Sequence, residues 1–441
     1  MLLAKNKERI DYMSQDNYIR NLLNIKDKNI KFYDNLCYDG FRKGKTCKII
    51  NAFLSYVPNS CNKCGACFES GKDFEKKGFD KGSYVVMPSI CKMDTYLFLK
   101  KQRIKCLHCN SSSVCKTDLV GHGCFISNVT KQAIAVDLTK KRSEKDIAID
   151  NNVSPNTVQR VVDSYYEGKK LYKHYLPEVL SFDEFKSVKS ASGAMSFIFC
   201  DGTNGKIIDI VEDRRLHKLI SYFSYYTPEA RNNVKFIVID MYSPYISLIN
   251  KMFPNASIII DKFHLVQLIS RSLNKTRIMA MKRNKNQAKN LKRYWRLILK
   301  NRTDLDCSQW KKFTGVNNLM TEVDLVDFLV DSDKELKNTY NVYQDLLYSL
   351  KHKDFKEFER ILNYELNNIS EYMKISIKTL KGYTPYIKNT FENNYSNGFL
   401  EGNNNFIKVL KRIAFGFRSF TRFKARIMIC KGIILPKLKE A

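Results

Sequence analysis

Three acidic residues, Asp183, Asp240 and Glu401, lie where a metal-dependent phosphodiester site needs carboxylates. Asp183 lies inside a short strand-like run, and Asp240 ends an apolar run. Glu401 opens a helical pattern over residues 403–412, in a C-terminal tail with ten Lys or Arg against two Glu. Hard divalent ions prefer carboxylate oxygens, and a pair of such ions activates a nucleophile and stabilises a leaving oxygen. We predict that the three acids bind Mg²⁺ (or Mn²⁺) and are catalytic.

Other readings of each acid remain open. Glu184 or Asp201 could replace Asp183 as the ligand, and Asp240 could instead cap the following helix. Glu392 is the nearby acidic competitor of Glu401.

A second pair of residues, Asp261 and His264, supports the same site. Asp261 ends the next buried strand as Asp240 ends its neighbour, and His264 lies one helical turn further on. His264 would orient the scissile phosphate or share a proton with a leaving oxygen. The alternative is that the pair braces the strand end.

The pattern around these acids predicts three hairpin-linked strands, at residues 179–185, 196–200 and 206–211, followed by alternating helix and strand. Residues 235–240 and 257–261 are continuous apolar runs, typical of strands buried on both faces of a sheet. This order predicts an α/β RNase H-like core. Residues 262–390 keep helical periodicity and are expected to form a large helical insertion.

Two CxxC pairs, Cys61 with Cys64 and Cys106 with Cys109, predict a structural Zn²⁺ site. They are separated by strand-like runs, as in a zinc ribbon, and four thiolates leave no open coordination position. Four other residues could replace one of these ligands, namely Cys67, Cys91, His108 and Cys115. The alternative to the whole site is a set of reduced cysteines that bind no metal.

Residues 125–170 predict an all-α helix-turn-helix. Ser143 and Ser154 are expected N-caps and Pro155 a first-turn residue. The second helix would present four side chains to a DNA major groove, namely Asn156, Thr157, Gln159 and Arg160. A three-helix packing unit without a DNA role is the alternative.

The charge of the chain favours a polyanionic partner. Lys and Arg number 75 against 45 Asp and Glu, a net charge of +30, and each neutralised phosphate releases counterions. Between residues 262 and 302 there are thirteen Lys or Arg and no acid. No apolar run reaches the ~18–20 residues that span a bilayer, and no export signal is visible. We therefore expect a cytoplasmic, nucleoid-associated protein with no membrane partner.

These features predict a multidomain chain of 441 residues. The expected order is a polar, partly helical segment at 1–50, the zinc ribbon at 51–120 and the helix-turn-helix at 125–170. The first part of the core follows at 176–261, the helical insertion at 262–390, and the last part of the core, with the catalytic Glu, at 391–441.

Several of the motifs together resemble the ISL-three family of bacterial insertion-sequence transposases. They are the runs around Asp183, around Asp240 and from Asp261 to His264, and the segment from Tyr395 through Glu401 to Arg418. The resemblance covers about residues 60–435. It implies a zinc ribbon, a helix-turn-helix and a DDE core with Asp183, Asp240 and Glu401 as the triad.

The resemblance also implies a reaction and partners. Water cleaves the element's end and frees a 3′-OH, which attacks target DNA with no covalent protein intermediate. The substrate would be double-stranded DNA with terminal inverted repeats, bound by a homodimer or a larger assembly. Candidate phosphate contacts near the triad are Lys408, Lys411, Arg412 and Arg418. Alternatives are a non-cutting DNA-binding protein on the same fold and a structure-selective nuclease.

Overall fold

Two β-sheets, each in a different unit of the chain, organise the structure. The computed structural model describes residues 15–167, 173–364 and 367–434. One unit holds the described residues of 1–170 together with those of 408–441, and the other holds those of 171–407. The boundary near residue 407 falls within a single helix.

The first unit begins with helix α1 (Gln15–Leu22) and contains a six-stranded sheet. Its longest strand, β5, pairs with β2, β4, β3 and β6 and ends at a cysteine. The strands are β1 (Ile30–Arg42), β2 (Lys45–Leu54), β3 (Phe74–Phe79), β4 (Ser83–Ile90), β5 (Met93–Cys106) and β6 (Ser112–Val114).

The expectation of a polar, partly helical segment at 1–50 is wrong for its second half. Helix α1 agrees with it, but β1 and β2 form an antiparallel pair from Ile30 to Leu54. The alternating pattern of β2 buries Cys47, Ile49, Ile50, Ala52 and Leu54. Packing of this strand against β5 therefore favours strand structure in a segment that was expected to be polar and partly helical.

Three helices follow the sheet, α2 (Asn128–Leu138), α3 (Glu144–Asp150) and α4 (Pro155–Glu167). The hydroxyl of Ser143 accepts from the N–H of Asp146, and that of Ser154 accepts from the N–H of Thr157, so both serines cap helices. Helix α2 is tied to the sheet because Thr130 Oγ1 donates to the carbonyl of Val86.

The second unit contains a five-stranded sheet in the order β11-β10-β7-β8-β9. β7, β8 and β9 are antiparallel neighbours, whereas β10 and β11 run parallel to β7. The strands are β7 (Val179–Lys186), β8 (Met195–Asp201), β9 (Ile207–Val211), β10 (Phe236–Ile239) and β11 (Ser257–Ile260), and the helices between them are α5 (Leu216–Phe223), α6 (Pro228–Asn232) and α7 (Ser243–Met252). A cluster of buried aromatic rings, centred on Phe182, packs the sheet against these helices.

Residues 262–392 are mostly helical. One small hairpin, β12 (Lys311–Lys312) with β13 (Leu319–Met320), interrupts the helices. The helices are α8 (Lys262–Arg283), α9 (Ala288–Arg293), α10 (Trp295–Ile298), α11 (Glu322–Val330), α12 (Lys334–His352), α13 (Phe355–Asn363) and α14 (Glu371–Glu392). Helix α14 lies along the edge strand β11, where Asn389 and Thr390 donate to the carbonyls of Ile258 and Ile260.

The last two helices are α15 (Gly398–Ile413) and α16 (Phe420–Cys430). The expectation that residues 391–441 belong wholly to the catalytic core is wrong, because α16 packs against α2 and α4 of the first unit. Arg426, which is buried, donates to the carbonyls of Leu138, Lys140 and Arg142. In the described part of the chain, no helix is long and apolar enough to cross a membrane.

Candidate active site

Three aspartates lie in one row across neighbouring strands of the second sheet. β10 pairs with β7 in a register that aligns Val238 with Ser181, and with β11 in a register that aligns Ile239 with Ile260. Continued past the strand ends, the same register aligns Asp240 with Asp183 on one side and with Asp261 on the other. Residues opposite one another in a sheet point to the same face. The three carboxylates therefore share one face at the C-terminal end of β10 and β11.

His264 lies beside this row of carboxylates. It lies in the first turn of α8, and its Nε2 is 2.7 Å from Oδ1 of Asp240 and 4.0 Å from Oδ2 of Asp261. Oδ1 of Asp240 is buried and has no aligned hydrogen bond from any described residue.

The pKa values reflect crowding of buried charge. Burial, and next the carboxylate of Asp240, raise the pKa of Asp183 to about 7. Burial likewise raises the pKa of Asp261. Burial lowers the pKa of His264, but the adjacent Asp240 outweighs it and the net pKa is raised. The row of acids is thus short of positive charge, which a divalent cation would supply.

The start of helix α15 is hydrogen-bonded to the same end of the sheet. The N–H of Asn397 donates to Oδ1 of Asp261 at 3.2 Å, and its Nδ2 donates to the carbonyl of Phe182 at 3.1 Å. Seven residues after Asn397, in the second turn of the helix, Nδ2 of Asn404 donates to Oδ2 of Asp183 at 2.6 Å. These contacts fix the helix across the ends of β7 and β11.

Glu401 lies between these two asparagines in the sequence, three residues before Asn404, and hence on the same helix face. The helix begins at Gly398, five residues earlier than the sequence pattern indicated, so Glu401 is in its first turn. Its side chain is exposed. The three predicted catalytic acids do not form a tight group. Among the described residues, only four cysteines have metal-ligating atoms that all lie within 4.8 Å of one another.

The alternative acids have other partners. Glu184 forms an ion pair with Arg214 and accepts a hydrogen bond from the hydroxyl of Tyr245 at 2.7 Å. Asp201 accepts from the N–H and the hydroxyl of Thr203 in the β8–β9 turn. Asp240 does not cap α7, whose N-cap residue is Tyr242. The contacts therefore favour Asp183 over Glu184 and Asp201 as a ligand.

Two residues at this site, Asn397 and Asn404, had no predicted function, although both lie in the segment from Tyr395 to Arg418 that carries the family resemblance. Both are buried, and each leaves its Oδ1 without a hydrogen-bond partner among the described residues. The signal for Asn404 was its spacing of three residues from Glu401. Asn397 carried no comparable signal, because its partner Phe182 is more than 200 residues away in the sequence.

The four predicted zinc ligands come together in the first unit. Sγ of Cys61 lies 3.7 Å from Sγ of Cys109, and Sγ of Cys64 lies 3.8 Å from Sγ of Cys106. A tetrahedral zinc–thiolate site with bonds of ~2.3 Å separates its sulfurs by about 3.8 Å. Backbone N–H groups of the turn, with Cys64 first, lower the pKa of Cys61 to about 5. The cluster therefore fits Zn²⁺, and the candidate replacement ligands are not part of it.

The four predicted recognition residues of α4 differ in exposure. Asn156 and Arg160 are exposed. Gln159 is half-buried, donates to Glu144 and accepts from Arg422 of α16 at 2.6 Å. The hydroxyl of Thr157 lies 3.1 Å from that of the capping Ser154. Gln159 thus bonds to neighbouring helices of its own unit.

The four basic residues predicted to contact phosphate all fall in the first unit. Lys408, Arg412 and Arg418 are exposed, whereas Lys411 is half-buried and its Nζ lies 5.6 Å from the ring centroid of Phe423.

Two relatives of known name match parts of the chain. A Lactococcus lactis subsp. lactis protein named "ATP-dependent protease" is 46% identical over 26% of this chain and 36% of its own length. The "Transposase for insertion sequence element IS1001" of Bordetella parapertussis is 26% identical over 57% of this chain and 60% of its own length. The chain thus spans between about a third and three fifths of these relatives.

A family model also matches more than half of the chain. The model DDE_Tnp_ISL3, described as Transposase, matches residues 180–427. The match begins in β7 and ends in α16, so it includes the row of aspartates and the start of α15. Because it covers more than half of the 441 residues, the chain belongs to the ISL3 family of DDE transposases.

Proposed function

We propose that the protein is a transposase that cuts and joins DNA at the ends of its own element through a metal-dependent site at Asp183, Asp240 and Glu401. The observation that carries the proposal is the row of Asp183, Asp240 and Asp261 at neighbouring strand positions, in a chain of a transposase family. The strand order, three antiparallel strands followed by two parallel ones, supports an RNase H-like assignment for this core.

The donor set fits Mg²⁺ (or Mn²⁺). All three proposed ligands are carboxylates, and Asp240 Oδ1 and Asn404 Oδ1 are buried oxygens without hydrogen-bond partners in the described part of the chain. The raised pKa of Asp183, to about 7, has the same cause, since burial and the Asp240 carboxylate disfavour a further negative charge there. A bound cation would coordinate such oxygens and would offset the negative charge that raises the pKa of Asp183.

The bound ions would supply Lewis-acid polarisation of the scissile phosphate and activation of the attacking oxygen. Asn404 holds the Asp183 carboxylate in place through its 2.6 Å hydrogen bond. His264, which lies 2.7 Å from Asp240, would orient the scissile phosphate or share a proton with a leaving oxygen. Water is the first nucleophile and the freed 3′-OH is the second, each displacing its leaving oxygen in line.

Recognition of the DNA is assigned to the first unit. We infer that α3 and α4 act as a helix-turn-helix on the terminal inverted repeats, with Asn156 and Arg160 exposed toward a major groove. Thr157 and Gln159 would set the position of α4 in addition to any base contact. The cysteine cluster would hold a structural Zn²⁺ in a zinc-ribbon-like domain, and Lys408, Lys411, Arg412 and Arg418 would contact phosphates. Pairing of two element ends requires at least two copies of the chain.

An end-cleavage assay tests the acid assignment. The substrate is duplex DNA carrying the element's inverted repeat, with Mg²⁺ present. We expect Asp240→Asn to lower cleavage by more than the ~10–100-fold that loss of a supporting residue costs at metal sites. Asp201→Asn is the matched control, because Asp201 is held in a turn on a neighbouring strand and should keep full activity.

The second pair of variants is Glu401→Gln and Glu392→Gln, of which only the first should lose activity. Equal activity of Asp240→Asn and the wild type would contradict the catalytic assignment and favour a non-cutting DNA-binding protein. Cleavage without any joining of cut ends to a target plasmid would favour a structure-selective nuclease instead.

A further inference from the structure

Both tryptophans of the chain are exposed, and both lie in the helical segment of the second unit. Trp295 is 40% exposed and Trp310 is 66% exposed. Tryptophan is among the most buried residues on average, because its large apolar ring is costly to leave in water. Exposure of both therefore points to a binding role.

The hairpin β12–β13 has one buried and one outward face. Lys311 pairs with Met320 and Lys312 with Leu319, and Phe313 and Met320 pack against the core. Because side chains alternate along a strand, Trp310, Lys312 and the cross-strand Leu319 share the outward face. Leu319 is 59% exposed. The outward face thus combines two large apolar side chains with a lysine.

The segments that carry the two tryptophans are joined by hydrogen bonds and a ring contact. Arg293 and Tyr294 both donate to the carbonyl of Thr314 in the hairpin, at 2.7 and 2.9 Å. The rings of Tyr294 and Phe313 pack edge-on with centroids 5.6 Å apart. Tyr294 is the N-cap residue of α10 and Trp295 is the first residue of that helix, so the hairpin next to Trp310 is fixed to the start of α10.

The charge around α10 and the β12–β13 hairpin is strongly positive. Five exposed cations nearby have no acidic ion-pair partner among the described residues, namely Lys289, Lys292, Arg293, Arg296 and Lys312. Lys300 and Lys311 do pair, with Glu322 and Asp306. The guanidinium of Arg296 lies 5.4 Å from the ring centroid of Trp295. An anionic partner with flat apolar faces complements this combination.

We propose that Trp295, Arg296, Trp310, Lys312 and Leu319, here called the tryptophan surface, bind unpaired bases of DNA. Aromatic rings and arginine planes stack on bases, and flanking cations bind the backbone. Within an intact duplex the base faces are covered, so the occupant is a single-stranded stretch. The inference rests on the proposed function only in taking DNA as the partner. It adds that the enzyme holds a strand unpaired at or near the cut end.

Tryptophan fluorescence tests this directly, since the only two tryptophans lie on the surface in question. The full-length, zinc-loaded protein is titrated without added Mg²⁺. The probes are a thymidine oligonucleotide, a blunt duplex, and the same duplex with a single-stranded 3′ extension. We expect the oligonucleotide and the extended duplex to quench the emission more strongly than the blunt duplex does.

Variants are compared by the anisotropy of labelled probes. Trp310→Ala should weaken binding of the extended duplex about tenfold, as expected for one lost base stack, and leave blunt-duplex binding unchanged. Trp310→Phe should restore part of the loss. Tyr364→Ala is the matched control, because Tyr364 is 64% exposed in the same helical segment, between Asn363 and Glu365, and should have no effect.

Three results would overturn the inference. The first is equal quenching of the emission by blunt and extended duplexes. The second is a loss of extended-duplex binding in Tyr364→Ala as large as that in Trp310→Ala. The third is a blue shift of the emission as protein concentration rises without DNA, which would assign the surface to contact with a second copy of the chain. End cleavage with Mg²⁺ is measured on the same preparations. If the protein cleaves element ends but binds blunt and extended duplexes equally, only this inference is refuted. If it prefers the extended duplex but does not cleave, only the proposed function is refuted.

Discussion

At the sheet edge proposed as the catalytic site, the pKa of each side chain depends on its neighbours. Asp183 would be an ordinary ionised carboxylate on a surface, but burial and the adjacent Asp240 raise its pKa to about 7. His264 offsets part of this negative charge from 2.7 Å. The residue types alone specify possible ligands, and their arrangement supports the proposed cation site.

The cysteine cluster yields a prediction about metal content. We expect one Zn²⁺ per chain, lost in Cys61→Ser and in Cys106→Ser, because the tetrahedral site needs all four thiolates. Elemental analysis of freshly purified protein measures this. Cys67→Ser and Cys91→Ser are the matched controls, since both cysteines are exposed and lie outside the cluster. Zinc-free wild type, or loss of zinc from either control, would refute the assignment.

Among the elements, α8 and α12 of the helical segment are joined by one charged contact. Asp333 caps α12 by accepting from the N–H of Leu336 at 2.9 Å, and it also accepts two hydrogen bonds from Arg283 at the end of α8. Burial opposes ionisation of Asp333, but the bonds from Arg283 and from the helix N–H outweigh it and lower its pKa. The contact therefore stabilises the ionised form.

The lowered pKa of Asp333 predicts a pH-dependent loss of stability. A carboxyl whose pKa is lower in the folded state stabilises the protein above its unfolded pKa of about 3.9, and this contribution is lost as pH falls through the folded pKa. Asp333→Ala should lower the free energy of unfolding by about 1–2 kcal/mol at neutral pH, as loss of an N-cap does. Urea denaturation measures the change.

Asp333→Asn separates charge from capping, because Asn also caps helices well. It should be less destabilising than Asp333→Ala at neutral pH, and its difference from the wild type should shrink as pH falls through the folded-state pKa of Asp333. A difference between wild type and Asp333→Asn that grows as pH falls would contradict the ion-pair account.

For the whole molecule, the most consequential contact is the return of the chain's end to its first unit. Helix α16 completes the packing of α2 and α4, although more than 250 residues separate it from α4. Arg426 is 1% exposed and binds three carbonyls where α2 ends, and Arg422 binds Asp163 and Gln159 of α4. The proposed recognition helix is thus held by a segment that follows Glu401 in the sequence.

This return predicts that damage to α16 loosens the DNA-binding unit. Arg426→Ala removes one buried and two part-buried hydrogen bonds to carbonyls, and a buried group left without a partner costs ~1–3 kcal/mol. We expect faster amide hydrogen exchange across α2–α4 and weaker binding of inverted-repeat DNA. Arg418→Ala is the control: Arg418 is exposed, so its loss should weaken DNA binding without changing the exchange. Unchanged exchange in Arg426→Ala would show that α16 is dispensable.

The sequence by itself determined the features that depend on local chemistry. Ser143 and Ser154 were identifiable as caps because they cap within three residues, and the CxxC pairs because each knuckle is a single tight turn. The strands from β7 to β11 followed from apolar runs between turn residues. The family of transposases was indicated by motifs that the family match then supported.

Only the tertiary structure decided the features that depend on distant partners. The register of β7, β10 and β11 puts three aspartates in one row, and Asn397 and Asn404 bind that row from a helix more than 130 residues beyond Asp261. The strands β1 and β2, and the packing of α16 on α2 and α4, likewise have no local signal, because their stability comes from burial against elements remote in the sequence. Periodicity reports which face of an element is apolar, whereas the identity of the element that covers it is settled by packing.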